Sequence, residues 1–143
     1  MIAVDTNVLV YAHRRDSPHH QAAAEAIHRL GRGSTPWAIP WPCVHEFLAI
    51  VTHPRIYRPP TTVPEALAAV DALRSAPTLH MLAETANHGE VLARLLASGQ
   101  VSGPKVHDAR IAAICLAHGV AELWSADRDF SWFPELKVVN PLI

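Results

Sequence analysis

The sequence has few charged residues and almost no excess of either sign. Of its 143 residues, 17% are charged and 50% are hydrophobic, and 12 basic against 13 acidic residues give a formal net charge of −1. Such a composition argues against disorder and favours a compact globular chain. Because the charges nearly balance, any contact with nucleic acid must come from local basic patches rather than from the field of the whole molecule.

Cysteine is also scarce, and the common metal-binding motifs are missing. The two cysteines, Cys43 and Cys115, lie in apolar helical patterns and not in a CxxC pair, so we expect reduced thiols in the core rather than a disulfide or zinc site. Ten histidines are present but scattered, with no HExxH motif or Cys/His zinc spacing. We expect most of them at the surface or at helix ends.

Long hydrophobic runs are absent too. None reaches the about 18 residues that a transmembrane helix needs, and no basic segment at the N-terminus leads into a long apolar one. The sequence therefore predicts neither a membrane span nor a signal peptide, and a cytoplasmic location follows. Repeats, low-complexity tracts and linkers are not apparent either, which predicts a single domain over residues 1–143.

Short apolar runs alternate along the chain with helical patterns. Strands are predicted at residues 2–4, 37–39, 79–82, 120–124 and 136–139, and helices at about residues 8–12, 19–30, 42–51, 62–75, 85–99 and 106–118. Strands that alternate with helices are typical of parallel sheets. We therefore expect an α/β fold with a central, mostly parallel, twisted sheet of about four or five strands flanked by helices.

Two acidic residues stand where predicted strands end. Asp5 follows the apolar run that closes at Val4, and Asp127 follows the run that closes at Trp124. In an open α/β sheet the carboxyl ends of the strands line the ligand-binding crevice, so both carboxylates are placed to meet a ligand or a metal. For Asp5 the alternative is a helix N-cap, since Asp is favoured at that position.

Two further acids lie on apolar faces of predicted helices. Glu46 shares a face with Cys43 and Ile50, and Asp108 shares a face with Cys115. A buried charge without a partner is costly, so a metal, a cation or a water-filled crevice should accompany each. The alternatives are that Glu46 reaches solvent at the helix edge and that the helix dipole explains Asp108 in the first turn.

If the strands are parallel, all four acids can converge on one crevice. Two carboxylates about 5 Å apart repel each other by roughly 3 kcal/mol at an effective dielectric constant of about 20. The group must therefore either bind protons or bind divalent cations. Two Mg²⁺ or Mn²⁺ ions would balance four carboxylates, and hard ions prefer such oxygen ligands. A site of this kind is suited to hydrolysis of phosphodiesters without a protein nucleophile.

The segments that carry these acids resemble a known family. Residues 4–9 (VDTNVL), the pair Glu46-Phe47, residues 107–112 (HDARIA) and residues 124–130 (WSADRDF) are similar to the four signatures of PIN-domain nucleases. Within that family they resemble the VapC-type toxins of bacterial toxin–antitoxin operons. The resemblance covers the whole chain, with the motifs in the family's order.

The resemblance implies roles for particular residues and partners. The residues implied as catalytic ligands of Mg²⁺ or Mn²⁺ are Asp5, Glu46, Asp108 and Asp127. Those implied to orient the carboxylates, metal-bound water or phosphate are Thr6, Asn7 and Ser125, while Asp129 either assists the metal or caps a short turn. The family further implies an RNA substrate, a homodimer and a cognate antitoxin with a segment in the groove beside the acidic site.

Basic and aromatic residues supply candidate contacts outside the acids. The candidates for RNA binding are Arg14, Arg15, Arg55, Arg58, Lys105, Arg110 and Arg128, with a solubilising surface role as the alternative for each. The chain is rich in proline, and three tryptophans that look exposed in the sequence are candidates for dimer or antitoxin contacts: Trp37, Trp41 and Trp132. Core packing is the alternative for at least one of them.

The predicted function is that of a metal-dependent endoribonuclease toxin neutralised by an antitoxin. The main alternative is a non-catalytic PIN-like module that binds RNA or a basic partner segment. A phosphatase with an aspartyl nucleophile is a third possibility, because a strand that ends in Asp also suits that chemistry. It ranks last because it needs a second acid two positions after Asp5, where the sequence has Asn7.

Overall fold

The computed structural model describes residues 1–143, apart from the side chain of Asp129. The described chain forms five strands, β1 to β5, with the bounds Ile2–Val4, Trp37–Pro40, Leu79–Leu82, Glu122–Trp124 and Lys137–Val139. Its six α-helices, α1 to α6, span Thr6–His13, His20–Arg32, Trp41–Val51, Val63–Arg74, His88–Gly99 and Val106–Ala117. Two short 3-10 helices cover Gly103–Lys105 and Arg128–Trp132.

The five strands form one sheet in the order β3-β2-β1-β4-β5, and every pair is parallel. The predicted α/β fold with a mostly parallel sheet of about five strands is therefore confirmed. Strand β1 lies in the middle, with β2 on one side and β4 on the other, so the strand order reverses direction there. Ligands of open α/β sheets bind outside the carboxyl ends of the strands at such a reversal.

The register brings the ends of β1 and β4 to the same level. Val4 is paired with Trp124, and the backbone N–H of Asp5 donates to the carbonyl of Trp124 over 3.0 Å. The next residues of both strands therefore leave the sheet side by side. This pairing places Asp5 beside the loop that carries Asp127, as the sequence predicted for two acids at strand ends.

The core lies on both faces of the sheet and includes one of the three candidate tryptophans. Trp37 is only 1% exposed, so the alternative of core packing is confirmed for this tryptophan and it is not available for surface contacts. It lies in β2, an inner strand of a parallel sheet, and such strands are covered on both faces. The predicted core position of the thiols is confirmed, because Cys43 and Cys115 are free and fully buried.

Two predicted helix boundaries are wrong. Helix α2 was expected to end at about residue 30 but continues to Arg32, and the chain turns at Gly33, whose N–H donates to the carbonyl of Leu30. Helix α5 was expected to begin at Thr85 but begins at His88, because residues 85–87 form a turn closed by a backbone bond from His88 to Thr85. None of the described helices combines the length and the apolarity that crossing a bilayer requires.

Candidate active site

The four predicted acids line one cavity at the carboxyl end of β1. The cavity has a volume of about 290 Å³, and its lining consists of Asp5, Thr6, Asn7, Val10, Tyr11, Glu46, Ile50, Tyr57, Asp108 and Asp127. The acids reach it from the end of β1, the middle of α3, the first turn of α6 and the loop after β4. Residues that are far apart in the sequence thus share one hollow.

Asp5 is the most buried of the four acids, with an exposure of only 4%. Its Oδ1 accepts hydrogen bonds from the N–H of Thr6 (2.8 Å) and the thiol of Cys43 (3.6 Å). Its Oδ2 accepts from the hydroxyl of Ser125 (2.7 Å) and the amide of Asn7 (3.4 Å). Asp5 is also the N-cap of α1. It therefore caps the helix and lines the cavity at the same time.

The electrostatics of Asp5 favour a proton or a cation. Burial raises the pKa of the Asp5 carboxyl, and the negative charge of Glu46 raises it further. Hydrogen bonds from Ser125, Thr6 and Cys43 act in the opposite direction but do not cancel the effect of burial. A divalent cation in the cavity would offset the same repulsion, because it favours the ionised form of each carboxylate.

Two hydroxyls connect the elements that carry the acids. Thr6 Oγ1 donates to Glu46 Oε2 over 2.7 Å, which joins the start of α1 to the middle of α3. Glu46 is half-buried on the cavity wall, so it does not simply extend from the helix edge into solvent. The hydroxyl of Ser125 donates to Asp5 and accepts from the backbone N–H of Asp127 over 3.0 Å.

Asn7 closes the connection between α1 and the loop after β4. Its Nδ2 donates to Ser125 Oγ over 3.2 Å, and its Oδ1 accepts from the backbone N–H of Ala126 over 3.1 Å. The amide therefore binds both the side chain and the backbone of that loop. Together with the bonds of Ser125, it fixes where the loop leads into Asp127.

The donor set fits a hydrated hard cation better than a closed metal cage. Within the described part of the chain, no group of three or more His, Cys, Asp or Glu side chains is arranged to hold a metal ion. Asp108 and Asp127 are half-buried on the same cavity wall as Asp5 and Glu46, and each has interactions of its own. Carboxylate oxygens are nevertheless the ligands that Mg²⁺ prefers, and Mg²⁺ commonly uses one or two of them and keeps several waters.

The seven candidate RNA-binding residues lie outside this lining. Arg14 pairs with Asp16, and Arg110 pairs with Glu84 over 3.0 Å. The ammonium group of Lys105 lies 4.2 Å from the ring centroid of Trp132. The remaining four, all exposed, are Arg15, Arg55, Arg58 and Arg128. Their contact with RNA stays a prediction, and so does the role of Asp129, whose side chain lies outside the described residues.

Sequence reasoning missed two aromatic residues of the cavity wall. Tyr11 lies one helical turn after Asn7, so the i, i+4 spacing on α1 could have identified it. Tyr57 lies in the loop between α3 and α4, where no periodic pattern points to the cavity. The hydrogen bond from Cys43 to Asp5 was also missed, although Cys43 was correctly placed on the same helix face as Glu46.

Comparison with known proteins identifies relatives over the whole chain. The family model described as "PIN domain" matches residues 2–136. Ribonuclease VapC43 of Mycobacterium tuberculosis (strain H37Rv) is 35% identical over 142 residues, which cover 99% of this chain and 96% of VapC43. The resemblance to PIN-domain nucleases and VapC toxins that the sequence motifs predicted is thus confirmed.

Solved structures share the fold at lower sequence identity. Mycobacterium tuberculosis VapC20, described as a Sarcin-Ricin loop cleaving toxin, has a TM-score of 0.67 and 18% identity, covering 92% of this chain and 93% of its own. A toxin–antitoxin complex from Klebsiella pneumoniae has a TM-score of 0.65 and 20% identity, covering 99% and 98%. The matched residues and the common architecture lead to one conclusion: this chain belongs to the PIN-domain family.

Proposed function

We propose that the protein is a metal-dependent endoribonuclease toxin of the VapC type, neutralised by a cognate antitoxin. The observation that carries this proposal is the cavity at the end of β1, lined by Asp5, Glu46, Asp108 and Asp127. Relatives at about a third sequence identity over nearly the full chain are named ribonucleases, which supports the same activity here.

The four carboxylates are the residues that would hold Mg²⁺ or Mn²⁺. When bound, such an ion supplies the positive charge that polarises a phosphodiester and lowers the pKa of water. The contribution of the chain is orientation: Thr6 holds one oxygen of Glu46, while Ser125 and Asn7 hold Asp5. Residues that orient metal ligands in this way commonly affect metal affinity or activity about 10- to 100-fold.

The proposed partners follow from the relatives. A structural neighbour is a toxin–antitoxin complex, which supports a cognate antitoxin for this chain. We further propose an RNA substrate, a homodimer and a cytoplasmic location, in line with the family resemblance. An antitoxin segment that covers the cavity would block both cation and RNA.

The decisive experiment measures RNA cleavage by the purified protein with Mg²⁺ or Mn²⁺ and with EDTA. Cleavage should require the cation and should be lost in Asp108→Asn and in Asp5→Asn. The matched control is Asp71→Asn, which neutralises an exposed acid on α4 outside the cavity and should leave cleavage intact. Cleavage that survives both EDTA and the two cavity substitutions would contradict the proposal.

The same experiment distinguishes the proposed nuclease from a non-catalytic binding module. One observation favours that alternative: among the described side chains, no three acids already form a metal cage. A binding module would cleave no RNA with any divalent cation, and its affinity for RNA or a basic partner segment would be unchanged in EDTA. Metal-dependent cleavage excludes it.

A further inference from the structure

An aromatic ring on the wall of the acidic cavity packs against a half-buried arginine. Tyr57 is half-buried and lines the cavity, and the guanidinium carbon of Arg14 lies 4.3 Å from the centroid of its ring. Arg14 donates through Nε and Nη2 to both carboxylate oxygens of Asp16, over 2.9 and 2.7 Å. Its Nη1 donates to Thr61 Oγ1 over 3.2 Å. We call Tyr57, Arg14, Asp16 and Thr61 the tyrosine shelf.

The shelf is held in place although Tyr57 belongs to a loop. Thr61 is 5% exposed, its N–H donates to the carbonyl of Val51 over 2.8 Å, and its hydroxyl also contacts His13 Nε2 at 3.0 Å. The side chain of Arg14 is only 13% exposed. A bidentate Arg–carboxylate pair has a well-defined geometry, although the side chain of Asp16 is 52% exposed. The ring of Tyr57 is therefore presented to the cavity in a fixed position.

These contacts change the role that we expect for Arg14. As a predicted RNA-binding residue it would offer its guanidinium fork to a phosphate. In the structure, the fork is already bound to Asp16 and Thr61, and one face of the guanidinium covers Tyr57. The arrangement favours support of the ring over direct contact with the backbone of RNA.

The position and chemistry of the ring suit a nucleobase. Proteins bind unpaired nucleotides by stacking bases on aromatic side chains, which every base tolerates because each has a π-face. Burial, followed by the nearby charge of Asp16, raises the pKa of the Tyr57 phenol, so the ring stays neutral and adds no repulsion of RNA. The cavity of about 290 Å³ lies at the lower limit of ligand pockets, about 300 Å³, so it suits one unit of a longer chain.

We propose that Tyr57, braced by Arg14, stacks on the nucleobase adjacent to the scissile phosphate. The shelf would thereby select RNA whose bases are unpaired at the cleavage site. This inference rests on the proposed ribonuclease function and names the part of the substrate that the cavity wall recognises. If Tyr57 only fixes its loop against α1, its ring would make no contact with RNA.

Fluorescence of 2-aminopurine tests the stacking directly. A set of short single-stranded RNAs carries 2-aminopurine at successive positions, and binding is measured with the Asp108→Asn protein so that the RNA stays intact. We expect strong quenching at one position, lost on adding Tyr57→Leu and kept on adding Tyr57→Phe. Quenching at no position, or quenching that survives Tyr57→Leu, would overturn the inference.

A second aromatic residue that contacts a lysine side chain provides a matched control. Trp132 is 42% exposed and contacts Lys105, but it is not part of the cavity lining. Trp132→Leu should leave the quenching unchanged, whereas equal losses for Trp132→Leu and Tyr57→Leu would contradict a specific role of the shelf. Circular dichroism of each variant verifies folding, and the position-dependent quenching of the parent protein needs no substitution at Tyr57.

The KM and kcat of RNA cleavage test the stacking role of Tyr57 independently. Because stacking binds the ground state and transition state alike, Tyr57→Leu should raise KM about tenfold or more with little change in kcat. Tyr57→Phe should restore KM to near the wild-type value. An unchanged KM in Tyr57→Leu would overturn the inference while leaving the nuclease intact. If the wild-type protein cleaves no RNA, the proposed function fails, and the fluorescence measurement alone decides whether the shelf stacks a base.

Discussion

At the scale of single residues, Asp5 carries a conflict between folding and function. Its carboxylate is almost fully buried and stands close enough to Glu46 for their charges to repel. Hydrogen bonds from Thr6 and Ser125 offset only part of this cost. Functional sites often keep such unfavourable groups because the chemistry needs them. Under the proposed function, the ionised carboxylate of Asp5 would serve to hold a cation in the cavity.

Replacing Asp5 should therefore stabilise the metal-free protein. We expect Asp5→Asn to raise the melting temperature in EDTA at neutral pH by a few degrees, because a neutral amide removes the buried charge that faces Glu46. The comparison is Asp16→Asn, since Arg14 holds the pKa of the Asp16 carboxyl below its usual range. That substitution should not stabilise. A lower melting temperature for Asp5→Asn would contradict this account.

The raised pKa of Asp5 also predicts how stability depends on pH. The folded state binds the proton more tightly than the unfolded chain, whose Asp pKa is about 3.9. The stabilisation by the protonated form is therefore complete below about pH 4 and is lost as the pH rises through the folded-state pKa. Urea unfolding in EDTA between about pH 4 and pH 7 should show a smaller loss of stability with rising pH for Asp5→Asn than for wild type. If the stabilities of wild type and Asp5→Asn changed equally with pH, the raised pKa would not belong to Asp5.

At the scale of elements, Ser125 fixes the loop after β4 against β1 and α1. Its hydroxyl donates to Asp5 and accepts from Asn7 and from the N–H of Asp127. We expect Ser125→Ala to lower cleavage about 10- to 100-fold, because both Asp5 and the loop lose orientation. Ser125→Thr keeps the hydroxyl and should retain most activity. Ser102→Ala, at an exposed position before α6, is the control and should cleave like wild type.

Helix α4 offers an element whose stability can be changed without reaching the cavity. Thr62 Oγ1 accepts from the N–H of Glu65 over 3.3 Å and so caps the helix. Thr62→Ala should lower the free energy of unfolding by about 1 kcal/mol, while Thr62→Ser should have a smaller effect. Urea titration measures both. Cleavage measured well below the melting temperature should be unchanged in both variants. If cleavage fell in proportion to the loss of stability, the claim that α4 does not influence the cavity would be contradicted.

At the scale of the whole molecule, cation binding should raise the melting temperature. The acids come from four segments that approach one another only in the folded chain. A ligand that binds only the folded state stabilises it by about 2.7 kcal/mol at a concentration 100 times its dissociation constant. Millimolar Mg²⁺ or Mn²⁺ should therefore raise the melting temperature of wild type but not of Asp5→Asn. An unchanged melting curve of wild type would count against a cation site in this cavity.

Much of the architecture could be predicted because local patterns specify it. Apolar runs with turn residues on either side predicted all five strands, and their alternation with helices predicted a parallel sheet. The errors lie at the end of α2, which continues past residue 30 to Arg32, and at Thr85, which lies in a turn before its helix. Helix ends depend on hydrogen bonds that compete within a few residues, so composition alone does not place them.

The sequence by itself predicted the family and the four candidate acids, because the segments around Asp5, Glu46, Asp108 and Asp127 resemble the family's signatures in order and local chemistry. Only the tertiary structure decided what surrounds them. The strand order β3-β2-β1-β4-β5 places Ser125 against Asp5, 120 positions away, and a loop without periodicity brings Tyr57 to the cavity. Such contacts join residues distant in the chain, and packing rather than local preference creates them.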